Sequence, residues 1–118
     1  MGFTYIDIDV ANVGEPDKRE TVRLLVDTGA LITVIPATLL VRLGIRPMGT
    51  RNYRGFGGTI RRPVGAALFT YQEDVAGGSV IFGEPEDPTV LGVTVIEALG
   101  YIVDPINHRL VPVESLML

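Results

Sequence analysis

Leu24-Leu25-Val26-Asp27-Thr28-Gly29-Ala30 is the stretch on which the fold turns, because an unbroken apolar run ends directly in an acid and a turn. The preceding residues put Val22, Leu24 and Val26 on one side of a strand, about Arg19 to Asp27, and Leu24-Leu25-Val26 without a polar break predicts burial of its end on both faces. A carboxylate placed there loses solvation and persists only with partners or by keeping a proton. Asp, Thr and Gly are also ordinary turn formers. By average residue usage the bare triplet arises in on the order of one chain in a hundred of this size, so its surroundings must decide between the two readings.

Upstream, Thr4, Ile6, Ile8 and Val10 alternate with Tyr5, Asp7 and Asp9, the period of a strand with one buried face, and Asn12, Gly14, Pro16 and Asp17 predict a turn. Downstream, a short strand over Leu31–Ile35 leads to Pro36, which suits a helix start, and the helix ends at Gly44. Strand-forming residues over Met48–Tyr53 and Thr59–Tyr71, the second broken at Pro63, flank Gly55, Phe56, Gly57 and Gly58 and predict a hairpin with a glycine-rich tip. A turn near Gly77 and Gly78, a strand through Phe82 and a loop over Glu84–Pro88 follow. Val90-Leu91-Gly92 then enters a short helix to about Leu99. Tyr101–Val103 and Arg109–Val113 form a last hairpin around Asp104–His108.

The 118 residues, 47% apolar and 20% charged, fit one domain over residues 1–118. A net charge of −4 argues against general nucleic-acid binding. The absence of cysteine excludes disulfides, thiolate metal sites and a cysteine nucleophile, and a single histidine argues against zinc. The N-terminus lacks the basic start and long apolar stretch of a signal peptide, and no apolar run approaches the roughly 20 residues of a membrane span. A soluble, cytoplasmic protein with neither membrane nor nucleic-acid partner is expected.

The acid-ended strand, the glycine-tipped hairpin and the late apolar pair with Gly92, in that order, resemble the retropepsin-like aspartic proteases. The resemblance runs from about Phe3 to Val113. It implies an all-β half-barrel with one or two short helices. It implies that Asp27 is the catalytic aspartate, that the Thr28 hydroxyl ties two active-site loops together, and that substrate backbone passes close to Gly29. Ala30 would leave a small wall to the cleft. Gly55, Phe56, Gly57 and Gly58 would form a flap tip over substrate, and Val90-Leu91-Gly92 would lie beneath the catalytic loop. No cofactor and no metal are implied.

The mechanism of that family needs two carboxylates sharing a proton. Asp7, Asp9, Asp17, Asp74, Asp87 and Asp104 all lack a following Thr or Ser with Gly, so an active enzyme is expected to be a homodimer acting on an extended peptide or protein. Two Asp27 carboxylates brought together would repel, raising one of their coupled apparent pKa values. Where the viral members often carry an acid after the alanine and an arginine after the late glycine, this chain has Leu31 and Val93. Nor is a leading strand expected to interleave with the C-terminus, so the 101–113 hairpin and the tail Glu114–Leu118 are expected to supply much of the dimer contact. The rival reading is a catalytically silent module of the same fold that binds peptides or assembles.

Arg51, Arg54, Arg61 and Arg62 flank the glycine tip and are expected to form a solvated face, with attraction of acidic substrates as the functional alternative. His108 sits in a turn composition and is expected to be exposed and structural. Glu73, Asp74, Glu84, Glu86 and Asp87 lack the alternation of a calcium loop and read as solvated acids. Gly55, Gly57 and Gly58 are followed by no helix with Lys and Ser or Thr, which excludes a phosphate loop.

Overall fold

A computed structural model describes residues 2–55 and 57–114. Phe56 and most of the 114–118 tail, both singled out above, lie outside the described residues. Among the described residues nine strands and two short helices follow in the order β1 (Tyr5–Asn12), β2 (Glu15–Val26), β3 (Thr33–Pro36), α1 (Ala37–Arg42), β4 (Gly49–Gly55), β5 (Gly58–Tyr71), β6 (Asp74–Gly83), β7 (Val90–Leu91), α2 (Val93–Leu99), β8 (Tyr101–Asp104) and β9 (Arg109–Pro112). The fold is mostly β, as expected.

Seven strands form one sheet in the order β1-β2-β7-β3-β6-β5-β4, and β1 also pairs with β5, so the ladder returns on itself around six strands. Such a ring has no free edge at its closure and folds its apolar side inward. Ile6, Ile8 and Val10 of β1, Val22 and Leu24 of β2, Ile35 of β3, Phe69 of β5 and Val80 and Phe82 of β6 are all buried in one core. The alternation read in the first strand is therefore the alternation of burial. Pro36 opens α1, Leu40 pins it to the core, and Gly44 at φ +77° turns the chain out of it. Helix α2 buries Val95, Ile96 and Leu99 and ends at Gly100 in the left-handed region, φ +87°.

Three turn expectations are corrected. Pro16 and Asp17 belong to β2, because the turn needs only Val13 and Gly14, with the Gly14 N–H donating to Asn12 Oδ1 at 2.9 Å. Pro63 does not break its strand: it faces Thr50 where β5 has β4 beside it and β6 has not yet joined, so the missing N–H leaves no ladder bond unmade on the other edge. Gly77 and Gly78 are not a turn either. The hairpin reverses at Gln72 and Glu73, with Gln72 at φ +56°, and Gly78 lies within β6 opposite Ala67. A Cβ on Gly78 would meet Val95 of α2 at 3.4 Å, an ordinary contact distance, so this glycine lies beneath a helix and not at a bend.

Beyond the ring, β4 and the first half of β5 project as a two-stranded arm tipped by Gly55–Gly58. Strands β8 and β9 form a separate two-stranded sheet. None of the described helices is long and apolar enough to cross a membrane.

Candidate active site

Asp27 is the first residue past β2. That strand ends between two neighbours: Leu25 faces Tyr5 of β1 and Val90 of β7, and Val26 faces Leu91. With both edges covered, the Asp27 N–H donates to Leu91 O at 3.1 Å and the Ala30 N–H to Asp27 O at 3.1 Å, closing a tight turn. The Gly29 N–H donates to Asp27 Oδ1 at 2.9 Å and fixes the carboxylate. A side chain on Gly29 would sit 3.2 Å from that same oxygen.

The expected burial of this strand end is corrected in the single chain. Leu25 and Val26 are half-buried, and Asp27, Thr28 and Gly29 are exposed. Interstrand pairing encloses the edges of β2 here, whereas the outer face beside the turn has no covering layer among the described residues. The carboxylate keeps its water and has one backbone donor.

The loop is supported from below by the segment that the late glycine introduces. Gly92 has ordinary extended angles, φ −84° and ψ 161°, so its backbone does not call for glycine. Space does: a Cβ there would lie 2.6 Å from the Ile32 carbonyl carbon and 2.9 Å from Leu31 O. The Gly92 N–H donates to Thr33 Oγ1 at 2.9 Å, and Thr33 is wholly buried. The Val93 N–H donates to Ala30 O at 2.9 Å, and Leu31 O accepts the Thr94 hydroxyl at 2.7 Å. Thr33 and Thr94 were not legible as site residues; their only signal is a hydroxyl beside an apolar run, common in any strand or helix start. Where an arginine and an acid are expected from the viral pattern, this chain joins the two segments through main-chain and threonine bonds.

A groove of about 950 Å³ opens beside the turn. Its lining includes Asp27, Gly29 and Ala30 from the turn and Gly55 and Gly57 from the arm tip, so the fold brings those candidates together. Thr28 and Gly58 are not among the lining residues. The remaining walls are mainly aliphatic, with Leu31, Ile32, Val34, Ile60, Ile81 and Val90. Tyr53 of β4 also lines it, and its buried hydroxyl has no hydrogen-bond partner among the described residues.

The four arginines of the arm are not alike. Arg51, Arg54 and Arg61 are exposed, whereas the Arg62 side chain is only 13% exposed and grips Asp87, itself 13% exposed, through two bonds of 2.7 and 3.0 Å. The expectation of a solvated arginine and a solvated acid is corrected for this pair, because β5 carries Arg62 over the 84–88 loop. The Arg62 guanidinium, with a smaller help from the Glu84 N–H, holds the Asp87 carboxyl below its usual range against the opposing effect of burial. Asp74 is likewise engaged, accepting the Tyr101 hydroxyl at 2.5 Å. His108 is exposed as expected, with Nδ1 3.3 Å from the Thr4 hydroxyl. Among the described residues no cluster of His, Asp or Glu could hold a metal ion.

A sequence profile of the family described as aspartyl protease matches residues 10–69, from β1 through the turn and the arm to β5. The fold is similar to that of the simian foamy virus (mac) protease in solution, with a TM-score of 0.53 at 21% identity, covering 78% of this chain and 92% of that one. No curated protein matches the chain.

Proposed function

This chain belongs to the aspartyl protease family, and on that premise we propose that it is an aspartic endopeptidase in which the Asp27 carboxylates of two identical subunits activate one water molecule. The observation that carries the reading is the position of Asp27: an exposed carboxylate, oriented by Gly29, at the edge of a groove closed on its other side by the glycine-tipped arm.

Two carboxylates facing one another cannot both stay ionised, so one keeps a proton. The charged one removes a proton from water as its oxygen adds to the scissile carbonyl carbon. The protonated one gives its proton to the carbonyl oxygen. The resulting diol then collapses: one hydroxyl returns its proton to the second carboxylate, the C–N bond breaks, and the amine leaves with the proton that the first carboxylate took from water. The arm acts as a flap over an extended peptide, which adds main-chain hydrogen bonds as a strand would.

The need for a second subunit has support within the groove. Its other acids are Glu86 and Asp87, and Asp87 already spends both oxygens on Arg62. The exposed Leu31 beside the turn, at 64%, and the β8–β9 hairpin, with Ile102 on β8 and Ile106 in its turn exposed at 53% and 84%, are apolar surfaces that a second copy would cover.

Purified protein at two concentrations, incubated from acidic to neutral pH with a diverse peptide mixture and read by mass spectrometry, tests the proposal. Cleavage that rises steeply with concentration, survives Glu86→Gln and disappears in Asp27→Asn is expected. Cleavage independent of concentration and lost in Glu86→Gln would instead make Glu86 the second carboxylate. A proven dimer that cleaves nothing would leave a peptide-binding module.

A further inference from the structure

We propose that Arg62 and Asp87 form a positioning pair that clamps the β4–β5 arm onto the 84–88 wall and thereby sets the width of the groove for the side chain a peptide places in it. The proposal deepens the peptidase reading and rests on it for the identity of the occupant.

Arg62 lies where β5 has left the ring and has only β4 beside it, opposite Arg51. It lies four positions from Gly58 at the tip, roughly 13 Å of extended chain. A fastening at Arg62 therefore fixes the root of the arm and leaves the tip to lift, like a lid pinned at its hinge.

The fastening is directional. Arg62 Nε and Nη2 donate to the two oxygens of Asp87 at 2.7 and 3.0 Å, Nη1 donates to Arg61 O at 2.9 Å, and Glu84 Oε1 stands 3.5 Å from Nη2. Asp87 is held in turn: its N–H donates to Glu84 O at 2.9 Å, and its Oδ2 accepts the Glu84 N–H at 2.8 Å. A planar guanidinium gripping a carboxylate through two parallel bonds fixes angle as well as distance. Where only adhesion is needed, an apolar contact holds two elements as well and avoids the desolvation of two charges. A shielded ion pair in a mainly aliphatic lining is thus better matched to setting geometry than to adding stability.

The lining residues follow from that geometry. Ile60, two positions before Arg62, and Tyr53 opposite it come from the arm, and Pro88, next to Asp87, comes from the wall. The pair determines how far apart these side chains stand, and hence whether a small or a large apolar side chain fits between them.

The test uses the full chain with Arg62→Met, Asp87→Asn and the double variant, each checked for cooperative unfolding above the assay temperature. Hydrogen exchange of the 49–64 amides gives a readout that needs no catalysis: at least tenfold faster exchange in the arm is expected in all three, with β1 and β2 unchanged. Kinetics on paired peptides carrying alanine or phenylalanine at one position should show discrimination between them collapsing to within twofold. The double variant should be no worse than either single one, because the two residues act as one unit. Unaltered exchange in the arm, or additive losses in the double variant, would overturn the clamp. Faster arm exchange in a protein that cleaves no peptide even as wild type would refute the peptidase reading alone.

Discussion

Replacing Gly92 with alanine adds one carbon at the place where the chain has least room. That carbon would stand 2.6 Å from the Ile32 carbonyl carbon, and ordinary contact begins near 3.4 Å, so the two segments must part by about 0.8 Å. Overpacking is usually relieved by side chains turning aside and costs ~1–3 kcal/mol. Here the obstructing atoms are main chain on the segment that follows the Asp27 turn, and moving them also loosens the bonds that Leu31 O accepts from Thr94. The upper end, about 3 kcal/mol, is expected. With a urea slope of about 1.5 kcal/mol/M for a chain of this size, the unfolding midpoint should fall by about 2 M. Protein concentration must be held constant, since self-association shifts apparent stability. Gly57→Ala is the control: a Cβ there meets nothing within 4 Å among the described residues, and its midpoint should stay within about 0.3 M of the parent. A Gly92→Ala midpoint equally close to the parent, with unchanged slope, would refute the steric account of this position.

Thr33→Val keeps the shape of a wholly buried side chain but leaves the Gly92 N–H without its acceptor, and should lower stability by ~1–3 kcal/mol in the same urea assay. The hydrogen bond to Asp74, followed by desolvation, raises the Tyr101 phenol from 10.0 to about 12. Folding therefore favours the protonated phenol, and this stabilisation is fully present below the unfolded value and lost as pH rises through about 12. An ultraviolet absorbance titration should show a late tyrosine step that vanishes in Tyr101→Phe; a late step that survives the substitution would assign it elsewhere. Ile102→Glu places a charge on an exposed apolar position of β8 and should weaken self-association at least tenfold by sedimentation, whereas an unchanged dimer would remove the β8–β9 sheet from the contact.

Much of this was legible from local pattern. The alternation of Ile6, Ile8 and Val10, Pro36 at the head of α1 and Gly44 at its end are each dictated within a few residues. The motif at Asp27 identifies the turn because the residues that flank it are equally local. What the sequence hid depends on residues far apart along the chain. Gly77 and Gly78 have turn composition, and only their pairing with Leu68 and Ala67 of β5 shows them to be strand residues. Arg62 looks like the arginines around it until the 84–88 loop brings Asp87 beneath it, 25 residues later. Burial of the strand before Asp27 was misjudged for a related reason, since apolar residues report that something covers them without saying whether it is the same chain.

Strand β7 is inserted between β2 and β3, parallel to the first and antiparallel to the second, although both were made long before it. During synthesis the sequence Asp27-Thr28-Gly29 thus emerges far ahead of the segment that holds it in shape. Thr33 waits 59 residues for Gly92, and Leu31 waits 63 for Thr94. Closing such distances is slow compared with forming a hairpin. A nascent chain carries the Asp27 carboxylate on an unsupported loop until Gly92 and Thr94 have been made, so the order of synthesis itself delays the shaping of the site.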